Sequence, residues 1–408
     1  ELRTRLLGRG HKFRTNSDTE TIVHLYEDEG LDFVKNLHGM FAIALWDEPR
    51  QRLVLTRDRI GKKPLFYLDT SQEIVFASEL KAIAASSRVS LDVDPTALDA
   101  YLTYGWIPAP QSIFKHVKKV PPATVMWNEA GQWRSDRYWD LRFTTSDRSL
   151  DERDLALEVR SRVRKATERR LVSDVPLGYL LSGGVDSAAI VSAAADLSSA
   201  QIKTFSIGFD SKSFDELPYA MLVANRYDTD HHELTVDTNI ADILDKSIWA
   251  ADEPLADPSA LPMYLVSQLT RQSVTVALTG DGGDEAFGGY RRYYGIKFAQ
   301  WYDRVPKLLR SRVLGPIASR LPESGRKIDR VSQLKRFTIP ATANPEERYV
   351  GWLQIFPQSL KNTAYSDEFA SLLDDCGRAS DPMLEAFVEV QDLDRTQAAQ
   401  WVDTMTYL

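Results

Sequence analysis

From Gly39 to Ser78 the apolar residues come in short runs: Phe41-Ala-Ile-Ala-Leu-Trp46, Leu53-Val-Leu-Thr56, Pro64-Leu-Phe-Tyr67 and Ile74-Val-Phe-Ala77. Runs of this length between turn formers predict strands. The breaks Asp47–Arg50 and Asp69–Gln72 are of hairpin length, so the sheet is expected to be antiparallel. Between Pro108 and Arg153 the chain is rich in Pro, Trp and charge, and Pro108, Pro110, Pro121 and Pro122 discourage a continuing helix, so this stretch reads as a connector. From about Leu155 the period changes. Helix 155–170, strand 178–181, helix 187–197, strand 202–209, helix 216–227, strand 233–236, helices 240–250 and 260–272 and strand 274–278 follow one another. Such alternation calls for a mostly parallel sheet with covering helices, and places ligands at the carboxyl ends of its strands. Beyond Tyr294 the segments read as helices with charged outer faces, and no internal repeat is found.

At 408 residues the chain exceeds the size at which one core usually keeps growing, so two domains are expected, 1–140 and 150–408. With 43% hydrophobic and 26% charged residues, there is ample apolar material to bury. A net charge of -8 argues against a surface built for nucleic acid or anionic lipid. No apolar run approaches the roughly 18 to 20 residues that span a bilayer. The charged stretch Glu1–Arg14 does not resemble a signal peptide, so a cytoplasmic location is expected. The single cysteine, Cys376, lies among Asp374 and Asp375, which disfavour a thiolate, and it reads as inert. No Cys-x-x-Cys or His-Glu-x-x-His spacing occurs, so zinc and cysteine-nucleophile readings lack partners.

The most informative stretch is Leu180-Leu181-Ser182-Gly183-Gly184-Val185-Asp186-Ser187, where an expected buried strand runs through two glycines into an Ala-rich helix. Glycines let the backbone approach a phosphate, the helix start presents unpaired N–H groups, and Ser182 and Ser187 add hydroxyl donors. Asp186 suits Mg2+. The lysine of a Gly-x-x-x-x-Gly-Lys-Ser/Thr loop is missing, which disfavours phosphoryl transfer. A second loop, Thr279-Gly280-Asp281-Gly282-Gly283-Asp284-Glu285 through Tyr290, also follows a strand. Carboxylates beside a phosphate site call for a cation between them, so Asp284 is a second candidate magnesium ligand. His231 and His232 are adjacent on a strand and point to opposite faces, which favours structural roles. The cluster from Tyr290 to Tyr294 reads as an ion-pair set on a helix face.

The first loop resembles the Ser-Gly-Gly-x-Asp-Ser loop of ATP pyrophosphatases, and the two loops together resemble the synthetase domain of glutamine-hydrolysing asparagine synthetases. Thr204–Phe209, His231–Glu233 and Glu253–Ser259 extend the resemblance. It implies that Leu180 and Ile207 flank adenine, that Ser182, Gly183, Gly184, Val185, Asp186 and Ser187 hold pyrophosphate, and that Thr279 and Gly280 contact ribose or the α-phosphate. Asp281 stands where the family often has glutamate. By resemblance it orients an attacking amine or binds aspartate; read from its position alone, it caps the turn.

Residues 1 to about 140 resemble the later part of the family's glutaminase domain, an amino-terminal-nucleophile sandwich. Asn16–Glu20, His38–Ala42 and Arg57–Leu65 carry the likeness. By it, Asp18 holds the α-amino group of glutamine. The family's amino-terminal cysteine, its arginine and its Asn-Gly-Glu segment are expected to precede Glu1. A lysine that stabilises charge on the α-phosphate is expected beyond Leu408, so both ends read as cut.

The expected fold class is therefore α/β: a partial antiparallel glutaminase sandwich, then an ATP-pyrophosphatase domain with a mostly parallel sheet and a helical C-terminal part. The resemblance implies ATP-dependent amidation of aspartate through a β-aspartyl adenylate. Glutamine supplies the ammonia, and AMP and pyrophosphate are released. Two readings stay open beside it: an adenylating relative with another acceptor, such as a β-lactam or peptide cyclase or a sugar-carboxylate amidotransferase, and a non-catalytic nucleotide-binding scaffold. A homodimer also stays open, since helical surface alone does not decide oligomeric state.

Overall fold

The computed structural model describes residues 1–70, 72–86, 90–143, 151–209, 215–236, 240–322, 330–338, 344–376 and 381–407. The chain divides into two compact units. One comprises Glu1–Ala97, Ile107–Arg142 and Met405–Leu408, the other Leu98–Trp106 and Phe143–Thr404.

The first unit opens with helices α1 (Leu2–Gly8) and α2 (Asp18–Glu29). Helix α2 starts where it does because the Ser17 side chain accepts from Thr19 N at 3.2 Å, while Asp18 and Glu20 place negative charge at the positive end of the helix. Strands β1 (Ala42–Asp47), β2 (Arg52–Arg57), β3 (Phe66–Asp69) and β4 (Ile74–Ala77) follow, each within two residues of its expected place. Both hairpins are antiparallel, but they belong to different sheets. Helix α3 (Leu80–Ala85) comes next, and α4 (Pro95–Tyr104) begins in this unit and ends in the other.

The stretch expected to be a connector then contributes β5 (Val117–Lys119), β6 (Thr124–Glu129) and β7 (Gln132–Arg137), which corrects that expectation. Pro108 and Pro110 precede β5, and Pro121 and Pro122 lie between β5 and β6, so none removes a ladder hydrogen bond. Residues 144–150 of the stretch lie outside the described residues.

The sheets run β1-β2-β6-β7 and β4-β3-β5. Alternation along the strands fills three layers. Val54, Val125 and Trp127 face α1 and α2 through Leu6, Leu25 and Tyr26. Their neighbours Leu55 and Met126 meet Leu65 and Tyr67 between the sheets. Phe66 and Val117 turn to Leu80 and Ile83 of α3. The result is a four-layer arrangement of helix, sheet, sheet and helix.

The second unit is wound on a parallel sheet of β8 (Leu177–Leu180), β9 (Lys203–Phe209), β10 (Asp230–Val236) and β11 (Val276–Leu278), in the order β10-β9-β8-β11. Helix α5 (Glu152–Glu168) precedes β8, and α6 (Val185–Leu197), α7 (Leu217–Arg226), α8 (Ile240–Ala251) and α9 (Ala260–Arg271) intervene between the strands. Tyr179, Leu181 and Val191 pack with Ala220 and Ala224 on one side, and Phe205 packs with Val266 and Val274 on the other. The chain moves outward from β8 through β9 to β10, then returns to place β11 on the other side of β8. The strand order therefore reverses between β8 and β11, and such a switch point opens a crevice at the carboxyl ends of both strands. Helices α10 (Gly283–Phe287) and α11 (Arg291–Tyr302) follow, and helices dominate from there to Thr406. Among the described residues no helix is long and apolar enough to cross a membrane.

Candidate functional site

Both glycine loops leave the sheet at that switch point. After β8 the chain turns through Ser182–Gly184 into α6. Gly183 has φ +77°, and a Cβ there would stand 2.7 Å from Tyr219 Cβ and 2.8 Å from Ala220 N, so only glycine fits. The Ser182 and Ser187 hydroxyls are 3.0 Å apart, and Ser182 Oγ accepts from Gly184 N at 3.3 Å. Gly184, the residue before α6, offers no side chain to its first N–H groups, and Val185 is 85% exposed. A helix of this length with an open, uncapped start favours an anion through its aligned N–H groups.

The second loop is built against the first. A Cβ on Gly280 would come within 2.7 Å of Ser187 N, and one on Gly283 within 2.6 Å of Asp186 Oδ2. Gly289 lies as closely against Asp284, where an added Cβ would overlap Oδ1. Burial pushes the Asp186 carboxyl above its usual range, and the charge of Asp284 pushes it further. Among the described residues, neither carboxylate takes part in an ion pair. A carboxyl raised by burial and by a neighbouring carboxylate, with no ion pair to either among the described residues, fits a bound divalent cation.

Asp281 is exposed, and its carboxylate accepts from Thr279 Oγ1 at 2.7 Å, which closes its own turn. Leu180 and Ile207 border one apolar cluster with Phe205, Val266 and Val274. Leu180 pairs with Phe205, and Ile207 follows two residues later on the same face. The site residues of this unit thus come from β8, β9, the loops after β8 and β11, and the first turns of α6 and α10.

The neighbouring polar residues have structural partners. His231 Nδ1 lies 2.7 Å from Thr204 Oγ1, and burial lowers its pKa, while His232 stacks on Phe205 with ring centroids 5.1 Å apart. Arg292 pairs with Asp403 at 2.8 Å, and Tyr290 OH donates to Glu285 at 2.8 Å. Cys376 is exposed.

In the first unit Asp18 is exposed at the amino end of α2. The loop before it is fixed by a residue that pattern reading did not single out. Glu20 accepts from Arg14 N at 2.6 Å, Thr15 N at 2.7 Å and Thr15 Oγ1 at 2.6 Å. These bonds, the one from the Thr15 hydroxyl foremost, hold its carboxyl down to about 2. The Ser17-x-x-Glu20 spacing of a capping box was the available signal. Arg57 and Asp58 tie down the following segment. Arg57 donates to the carbonyls of Lys63 and Val120, and buried Asp58 accepts from Phe41 N, Lys62 N and Lys63 N. Gly283 and Gly289 were likewise not singled out, because the packing of Gly283 against Asp186 joins two loops and that of Gly289 against Asp284 folds one loop back on itself.

Comparison with known proteins gives two family matches: asparagine synthase over residues 158–408, and a glutamine amidotransferase domain over residues 1–139. The chain is 32% identical to "Asparagine synthetase [glutamine-hydrolyzing] 1" of Bacillus subtilis, over 100% of its own length and 64% of that protein. It is 34% identical to "Putative asparagine synthetase [glutamine-hydrolyzing] 2" of Methanocaldococcus jannaschii, over 87% of its own length and 67% of that protein. A second Bacillus subtilis protein, "Asparagine synthetase [glutamine-hydrolyzing] 3", is 34% identical over 71% of this chain and 50% of its own length. The chain thus spans between half and two thirds of these relatives.

Proposed function

Because this chain belongs to the asparagine synthase family, we propose that it is the core of a ligase that adenylates the side-chain carboxylate of aspartate and transfers ammonia from glutamine to it. The observation that carries the reading is the Asp186–Asp284 pair beside the open start of α6, at the switch point of the sheet.

In this proposal Leu180 and Ile207 receive adenine, and Thr279 and Gly280 meet the ribose or α-phosphate. Ser182, Gly183, Gly184, Val185 and Ser187 hold the pyrophosphate end with backbone N–H and hydroxyl donors. Mg2+ between Asp186 and Asp284 would supply the charge that neutralises the phosphates. An aspartate carboxylate oxygen attacks the α-phosphorus, the bond to pyrophosphate breaks, and a β-aspartyl adenylate forms. Ammonia then adds to the activated carbonyl and AMP leaves, giving asparagine. Asp281, at the mouth of the loop, orients the amine. In the amino-terminal domain, residues 1–140, Asp18 binds the α-amino group of glutamine, while the synthetase domain runs through 150–408.

ATP–pyrophosphate exchange by the full-length protein with Mg2+ tests the reading. Exchange that requires aspartate and disappears in Asp186→Ala is the expected result. Exchange driven by a different carboxylate would move the chain to a relative with another acceptor. A folded protein that binds ATP but exchanges with no carboxylate would be a nucleotide-binding scaffold.

A further inference from the structure

Outside the nucleotide loops, one cluster brings donor atoms together at metal-ligand spacing. His11 lies in the loop after α1, held by its N–H donating to Leu6 O at 3.2 Å. His24 and Glu27 lie three apart on one face of α2. His11 Nδ1, His24 Nδ1 and Glu27 Oε2 stand 3.1, 2.7 and 3.4 Å from one another. A triangle with these sides has a circumscribed radius of about 1.8 Å, so a point about 2.0–2.1 Å from all three atoms exists about 1 Å off its plane, the length of zinc bonds to nitrogen and oxygen.

The outer partners fix what these atoms present. His11 Nε2 lies 2.8 Å from Asp28 Oδ1, which demands a proton on Nε2 and leaves a lone pair on Nδ1. Among the described residues His24 Nε2 is buried without a hydrogen-bond partner, and Glu20 Oε1 lies 3.8 Å from it. That side also suits N–H, since a bare lone pair there would face a carboxylate. With both rings in these tautomers, two nitrogen lone pairs and a carboxylate oxygen converge on one point. A single proton at His24 Nδ1 satisfies only one of the two facing groups, whereas a cation satisfies all three. The Asp28–His11 contact is the carboxylate support that metal-bound imidazoles usually have. Phe13 packs edge-on against His24 at 4.8 Å and closes one side, while Glu27 is exposed and leaves the outer position to water.

We propose that His11, His24 and Glu27 bind a zinc-type divalent transition ion, with Asp28 orienting His11. The ion clips the loop after α1 onto α2, and so braces the Lys12–Ser17 segment that leads into Asp18. Sequence spacing did not reveal the site, since His11…His24-x-x-Glu27 is neither of the zinc patterns sought. The proposal is independent of the activity assigned to the nucleotide loops.

The test is calorimetric titration of the metal-free, full-length protein with Zn2+ alone, in excess Mg2+ to occupy the Asp186–Asp284 pair. Co2+ replaces Zn2+ in a parallel titration read by its visible spectrum. One equivalent is expected, together with a higher melting temperature. His11→Gln and His24→Gln should each weaken binding by more than about 100-fold, and Asp28→Asn by about 10- to 100-fold. Glu27→Gln, at an exposed position where folding is not at issue, should remove the Co2+ spectrum of the three-ligand site. A folded protein that takes up no stoichiometric Zn2+ would overturn the proposal, as would an equivalent that survives unchanged in His11→Gln, His24→Gln and Glu27→Gln.

Discussion

Asp186 shows at the scale of one residue how a site can oppose the fold that carries it. Its folded pKa is raised above the ordinary 3.8, by burial first and by Asp284 second. A carboxyl raised on folding contributes stability while it is protonated, and that contribution is lost as pH rises through the folded value. Ionised Asp186 is therefore a liability near neutrality unless a cation sits beside it. Without Mg2+ at pH near 7, Asp186→Asn should raise the urea midpoint, by no more than about 1 kcal/mol because water reaches the site. Saturating Mg2+ should remove the advantage, and so should acid below the unfolded value; a less stable variant without Mg2+ would contradict this account. Gly283 gives a second prediction. An added methyl would meet the movable Asp186 carboxylate, so Gly283→Ala should displace the ligand while stability changes by only about 1 kcal/mol, since α10 favours alanine over glycine. Pyrophosphate exchange should fall by about 100-fold, the scale of a misplaced catalytic group, and retained exchange would show that Asp186 has room to move. The two loops were legible in the sequence because glycine and acidic residues after a strand have few other uses. That Gly283 faces Asp186 and Gly289 faces Asp284 was not legible, because those contacts join positions about 100 residues apart or fold a loop back on itself.

At the scale of elements, legibility followed the range of the interaction. The hairpins of β1–β4 and the strand–helix alternation from α5 to β11 were readable because period and turn chemistry are local. Strands β5–β7 were missed because four prolines outweighed the runs Val117–Lys119 and Thr124–Glu129, although the prolines all lie outside those strands. The helical part after β11 was readable as helix but not as a packed body. There, Asp403 accepts from Arg292 Nη2 at 2.8 Å, Tyr293 OH at 2.6 Å and Tyr349 OH at 2.6 Å, and so joins α11 to the helices Pro345–Leu353 and Arg395–Thr406. Burial, the largest single effect, would lower the Arg292 pKa, but the charge and hydrogen bond of Asp403 together with Tyr349 and Tyr293 outweigh it and the net shift is upward. Removing one member of a buried pair leaves the other charge uncompensated. Asp403→Ala should therefore lower the unfolding free energy of this unit by about 3–5 kcal/mol in urea titrations. A loss below about 1 kcal/mol would mean that water replaces the carboxylate.

For the molecule as a whole, the decisive feature is that each unit has a core of its own. Leu6, Leu25, Phe33 and Val54 fill one, while Tyr179, Leu181, Val191 and Ala220 fill the other. A change at an exposed position of the first unit should then leave the second unit's chemistry intact, and the proposed division of labour becomes separable by choice of nitrogen donor. Asp18 is such a position, exposed at the start of α2 and outside both cores. On its proposed role it offers one charge-assisted bond to the ammonium group of glutamine, worth about 1.5–3 kcal/mol, which corresponds to about a 10- to 100-fold change in binding. Asp18→Asn in the full-length protein should therefore raise KM for glutamine by that factor. Asparagine formation from ammonia, and aspartate-dependent pyrophosphate exchange, should stay within about twofold of the parent. A parallel fall with both donors would show instead that the Asp18 loop supports the second unit, and the two sites would have to be treated as one.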